Sequence, residues 1–177
     1  EMMRHGDKYP DYSTYGTASY FKPATVLVAL GGVIGDSTLM QGIREYGRRW
    51  SGKHPMPTDF WDTMNQVSGR NLDWFWRSWY YETWKLDQAI AEVERANQDT
   101  LIITVENKGR APMPVLLVAR GASGDTTSLT VPVDAWLQGE KKVTVRMAVP
   151  DDFTRVEIDP TQRFPDADRS NQSWPQR

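Results

Sequence analysis

The chain has 177 residues, of which 39% are hydrophobic and 25% charged, and its formal net charge is −2. That length suits one or two small domains with an ordinary core. The near-balance of charge gives no reason to expect a nucleic-acid partner, because phosphate binding needs a concentrated positive field. The absence of Cys excludes disulfides and Cys-ligated metals.

The N-terminus, Glu1-Met-Met-Arg-His5, lacks the basic-then-apolar pattern of a signal peptide. Glu1 in place of an initiator Met reads as a trimmed chain, from which no compartment follows. Pro23 to Leu30 reads as a helix with Pro at its first position, where the missing N–H costs nothing. Gly31, Gly32 and Gly35 are expected to end it. Asp36 or Ser37 can cap a second helix, with Leu39, Met40, Ile43 and Tyr46 at helical spacing up to Trp50. Ser51 to Pro57 reads as a turn. Thr58 is the expected N-cap of a third helix carrying Phe60, Met64 and Val67, ended by Gly69. Asn71 caps a fourth, from Leu72 to about Tyr81. The longest apolar run, Ala24 to Ile34, falls short of the roughly 20 residues that span a bilayer, so no membrane span is expected.

After Trp84 the period changes to alternation. Ala89, Ala91 and Val93 alternate with Glu92 and Glu94, and Leu101, Ile103 and Val105 repeat the pattern. Val115, Leu117 and Ala119 lead to the Gly121–Gly124 turn. Ser128–Val133, Lys142–Val149 and Arg155–Ile158 are further candidate strands. Six or so short strands with polar turns indicate an antiparallel β-sandwich. The expected organisation is a helical subdomain over residues 1–85, a β-sandwich over 86–160, and an irregular tail over 161–177.

Few residues offer chemistry. The only two histidines, His5 and His54, are far apart, and no H-E-x-x-H zinc pair exists. Both read as surface residues. Gly31-Gly32-Val33-Ile34-Gly35 lacks the Lys-Ser/Thr ending of a phosphate loop. Ser, His and Asp occur without anything to place them together. The block from Trp74 to Tyr81 reads as a packing hub, with a stacking platform for sugars or peptide rings as the alternative. Tyr15 and Tyr20 precede the expected Pro23 helix, and helix N-termini favour negative charge. Tyr20 therefore reads either as a structural anchor or as a phenol able to stabilise an oxyanion.

Four ordered stretches resemble the gluzincin zinc aminopeptidases, the family of membrane alanyl aminopeptidases and leukotriene hydrolase. Tyr20-Phe-Lys22-Pro23 followed by Val26-Leu27 looks like the Y-x-K-G motif that opens a helix after the zinc-binding region. Leu30-Gly-Gly-Val-Ile-Gly35 and Gly42-Ile43-Arg44-Glu45-Tyr46 look like the helices that follow. His54-Pro-Met-Pro-Thr-Asp59-Phe60 and Ser68-Gly-Arg-Asn-Leu72-Asp73-Trp74-Phe75 look like the next pair. Ile158-Asp159-Pro160 and the stretch Asp168 to Trp174 look like the tail of bacterial members.

The resemblance implies that Tyr20 is the catalytic tyrosine, whose hydroxyl stabilises the tetrahedral intermediate. Tyr15 stands where some members carry a second active-site tyrosine. Pro23 departs from the family's Gly. The zinc ligands, the general base and the substrate-amine motif have no counterparts here and would lie upstream. The parent is thus expected to be a zinc-dependent peptidase acting on N-terminal residues of peptide substrates. This chain alone is expected to bind no zinc and to be inactive. The alternative is a non-catalytic binding or scaffold module. A sugar-binding sandwich ranks below both, since Trp136 and Phe153 are its only large rings before the tail. A helical face missing its partner half predicts an exposed apolar patch or self-association.

Overall fold

The computed structural model describes residues 1–175. The chain divides into two compact units, Glu1–Thr83 and Trp84–Arg177. The first is helical, and the second consists of two antiparallel sheets.

The helical unit begins with α1 (Tyr12–Gly16), capped by Asp11, whose carboxylate accepts the Thr14 N–H at 2.8 Å. α1 runs through a π turn, Thr17–Phe21, into α2 (Lys22–Ile34). Together they form one 23-residue helix. Pro23 therefore lies inside a helix rather than at its start. The wide turn explains this: the Lys22 N–H bonds to the Thr17 carbonyl, five residues back. A widened turn relieves the clash of a proline ring with the preceding turn. Joined in this way, Tyr12–Ile34 is long and apolar enough to cross a membrane by length and composition, which Ala24–Ile34 alone is not. Core helices of soluble proteins satisfy the same description.

Gly31 and Gly32 do not break α2 either. Gly31 is buried with Val26, Ala29, Leu30 and Val33 on the inward face. The helix ends at Gly35, with φ +88°, a conformation open to glycine. Arg70 donates from its guanidinium to the Val33 carbonyl at 2.6 Å, satisfying one of the carbonyls left over at that end.

α3 (Asp36–Trp50) packs on α4 (Pro57–Ser68), with Gly42 against Met64. The N-cap of α4 is Met56, not Thr58. Pro57 occupies the first helical position, and the Asp59 carboxylate accepts the Met56 N–H at 2.7 Å. Gly69, with φ +64°, ends α4. The Asn71 side chain accepts the Asp73 N–H at 2.8 Å and starts α5 (Asp73–Trp76), which continues into a second π turn, Arg77–Tyr81. Of the aromatic block there, Phe75, Trp76 and Trp79 are core, Trp74 and Tyr80 are part-buried, and Tyr81 is exposed. Trp76 stacks on Trp61 at 6.0 Å, meets Tyr80 and Phe75 edge-on, and donates to Asn65 Oδ1 at 3.0 Å.

In the second unit, β1 (Gln88–Asn97), β2 (Thr100–Asn107) and β5 (Lys142–Ala148) form one sheet in the order β1-β2-β5. β3 (Val115–Gly121), β4 (Thr126–Val131), β6 (Phe153–Ile158) and β7 (Ser173–Trp174) form the other, in the order β4-β3-β6-β7. Period-two alternation sends Leu101, Ile103 and Val105 of β2 and Val115, Leu117 and Ala119 of β3 into the core. A short helix, α6 (Asp134–Leu137), brings Trp136 inward, where its indole N–H donates to the Met113 carbonyl at 2.8 Å. The buried Gln88 amide donates to the same carbonyl at 2.8 Å.

Residues 161–175 are not irregular throughout. They contain a 3-10 turn, Arg169–Asn171, and β7, which pairs with Val156 and Glu157 of β6. The turn after β6 is organised by the buried Asp159 carboxylate, which accepts the Arg163 and Phe164 N–H groups at 2.9 and 2.8 Å. Residues 176 and 177 of the expected tail lie outside the described residues.

Candidate active-site tyrosine

Tyr20 lies on the π turn, and 67% of its surface is exposed. Its hydroxyl has no hydrogen-bond partner among the described residues. Phe21 beside it is 72% exposed, and Tyr12, Val28, Met40 and Ile43 are further exposed apolar residues of α1 to α3. The placement corrects one expectation. The positive end of this helix is at Asp11, where the chain enters α1, and not at Tyr20. A helix-terminus field therefore does not act at the Tyr20 hydroxyl, since the effect fades within the first turn.

Lys22 is held differently. It is half-buried, and its Nζ donates to the Glu82 carbonyl at 3.3 Å. Burial pushes the ammonium pKa down, and the Glu1 carboxylate opposes that shift. Lys22 thus ties the π turn to the end of the last helical segment. Tyr15 is part-buried. Its ring meets Tyr9 edge-on at 5.6 Å and lies 6.2 Å from Tyr12. The Tyr9 hydroxyl donates to the Met2 carbonyl at 3.3 Å, and the Met2 and Met3 N–H groups donate to the Tyr80 carbonyl at 2.8 and 3.1 Å. Tyr15 belongs to an aromatic clasp that holds the first residues, while Tyr20 faces outward.

His5 and His54 are both exposed, on separate segments. Among the described residues no group of three His, Cys, Asp or Glu side chains could hold a metal ion. What the site offers is a phenolic O–H, a hydrogen-bond donor, on an exposed and firmly anchored helical turn. Sequence reasoning missed the anchor. The Lys22 contact spans 60 residues and ends on a backbone carbonyl, which leaves no side-chain signature.

Residues 5–79 match the model of the peptidase family M1 domain. The match covers most of the helical unit and less than half of the chain. The match takes in Tyr15, Tyr20, Lys22 and both histidines. The chain is similar in structure to aminopeptidase A of Legionella pneumophila, solved in complex with aspartic acid. The TM-score is 0.65 at 16% identity, over 87% of this chain and 18% of that one. At that identity the likeness shows a common fold, and the chain spans under a fifth of the larger protein. No curated protein matches the chain. The gluzincin resemblance read from the ordered motifs agrees with the M1 match over residues 5–79.

Proposed function

We propose that this chain is part of a zinc-dependent M1 peptidase that removes N-terminal residues from peptides. Tyr20 supplies a hydrogen bond to the oxyanion formed at the scissile carbonyl. The observation that carries the reading is Tyr20 itself: an exposed tyrosine with no internal partner, on a turn anchored by Lys22, within the M1-matched residues. The M1 match supports zinc in the parent. The metal and base belong elsewhere in the parent, and this chain alone is inactive.

The test is Tyr20→Phe in the parent enzyme. Removing one oxyanion donor lowers kcat about 100- to 1,000-fold with KM nearly unchanged. Unchanged turnover would remove Tyr20 from the mechanism. Peptidase turnover by the 177-residue chain with bound zinc would overturn its proposed inactivity. The exposed apolar residues of α1 to α3 support a second reading, a docking or scaffold module that associates through this helical face. Under that reading Tyr20→Phe leaves catalysis intact, while Phe21→Ser changes the sedimentation coefficient.

A further inference from the structure

In the second unit, β3, β6 and the turns after β6 line an open cleft of about 460 Å³, within the size range of small-ligand sites. Three arginines line it: Arg120 from β3, Arg155 from β6 and Arg169 from the 3-10 turn. Arg120 and Arg155 are direct partners across the β3–β6 pair. Like charges placed directly opposite weaken an antiparallel pair. A purely structural ion pair would put the acid opposite the base. Here Val118 stands opposite Glu157, and the two arginines face each other.

Glu157 partly relieves the conflict. Its Oε2 accepts from Arg120 Nε at 3.2 Å and lies 3.3 Å from Arg155 Nε. Arg169 is committed to the fold, with contacts to Asp159, Gln172 and the Phe164 carbonyl. Counting the described lining residues, three guanidiniums face two carboxylates, Glu157 and Asp159, so the wall keeps an excess positive charge. Arg120 and Arg155 meet Glu157 through Nε, and a guanidinium has further N–H donors on its terminal nitrogens, the fork that grips oxyanions.

A second observation is independent of charge. The non-glycine residues with left-handed φ among the described residues are Asp159 at +43° and Gln162 at +55°. Both line this cleft. Aspartate tolerates that region, but glutamine adopts it rarely, and residues held so gather at ligand sites.

We propose that this cleft binds a small acid through its oxyanion, a phosphate or a carboxylate, gripped by Arg120 and Arg155. The anion supplies counter-charge beyond the single Glu157 carboxylate that the facing arginines share. The proposal does not depend on the peptidase reading, because none of these residues lies in the M1-matched segment.

The test is calorimetric titration of the full 177-residue chain with inorganic phosphate, and separately with succinate, against potassium chloride of matched ionic strength. Saturable binding of phosphate alone assigns a phosphate-bearing ligand, of succinate alone a carboxylic acid, and of both a general oxyanion site. Arg155→Gln weakens that binding at least about tenfold, the scale of losing one charged hydrogen-bonding partner. Arg155→Lys, which keeps the charge but loses the fork, weakens it less and covers the case in which the Gln variant fails to fold. Arg44→Gln, on α3, leaves it unchanged. Absence of saturable binding for both anions, or binding undiminished in both Arg155 variants, overturns the proposal.

Discussion

Replacing Asp159 by alanine tests how the segment after β6 is held. The Asp159 side chain is 1% exposed. Its Oδ1 accepts the Arg163 N–H at 2.9 Å, and its Oδ2 accepts the Phe164 N–H at 2.8 Å and lies 3.4 Å from Arg169. Alanine leaves the Phe164 N–H, in a residue 1% exposed, without its acceptor. That costs about 1–3 kcal/mol. Arg169 keeps Gln172 and the Phe164 carbonyl and is one-third exposed, so its lost pairing adds at most about 1 kcal/mol. Alanine at φ +43° adds about 1 kcal/mol more, because asparagine and aspartate tolerate that region and alanine does not. The expected loss is about 2–5 kcal/mol. Asp159→Asn keeps one acceptor oxygen and the backbone tolerance, and should cost about 1–2 kcal/mol. The assay is urea denaturation read by amide exchange in β3 and β6, because two compact units need not unfold together. An alanine variant losing less than about 1 kcal/mol, or an asparagine variant losing as much as alanine, would refute the reasoning.

Other outcomes follow from single contacts. Tyr20→Phe should leave the stability of this chain within about 0.5 kcal/mol, because the hydroxyl has no partner here; a larger shift in thermal midpoint would reveal an unrecognised structural role. Gly109→Ala should destabilise the second unit by about 2–3 kcal/mol, since its Cβ would meet the backbone at Lys85 and Asp87, which cannot rotate aside. Urea titration would show the loss, and a neutral result would mean the turn yields. The Glu45 carboxyl is held at about 2 by hydrogen bonds from Arg48 and Arg49. Its stabilising effect is complete above its ordinary value near 4.5 and fades as pH falls toward 2. Amide exchange in α3 should accelerate over that window, and Glu45→Gln should flatten the change.

Much of the fold is legible in local pattern. The change from helical spacing to alternation separates the helices from the strands, and Leu101, Ile103 and Val105 alternate inward as period two requires. Asn71 accepts the Asp73 N–H as a capping side chain would, but from one residue ahead of the N-cap, Leu72. The departures share a cause: each depends on a partner or a turn width that local rules do not contain. Pro23 marks a helix start only if the preceding turn is a tight one, and the π turn removes that condition. Thr58 is a reasonable cap until Pro57 and Asp59 are weighed together. β7 exists because Ser173 and Trp174 find β6, and the strand pattern of two residues is too short to see. At the candidate site, the motif singles out Tyr20 and Lys22, but the exposure of one and the tether of the other require the folded chain. The facing arginines emerge only once β3 and β6 are in register.

The wide turn at Thr17–Phe21 also acts as a phase shifter. Each residue of an α-helix advances the chain by about 100° around its axis. A turn closed over five residues instead of four holds one residue more, so everything ahead of it is rotated against everything behind. Deleting a single residue between Thr17 and Phe21 would leave the Val26 to Val33 stripe in place and swing the whole of α1, with Tyr12 and Tyr15, to a different side of the axis. The clasp around Tyr9 would then lose its ring. The heading of the first 16 residues is thus set by how many residues one turn of helix contains, and the anchor at Lys22 keeps that angle from drifting.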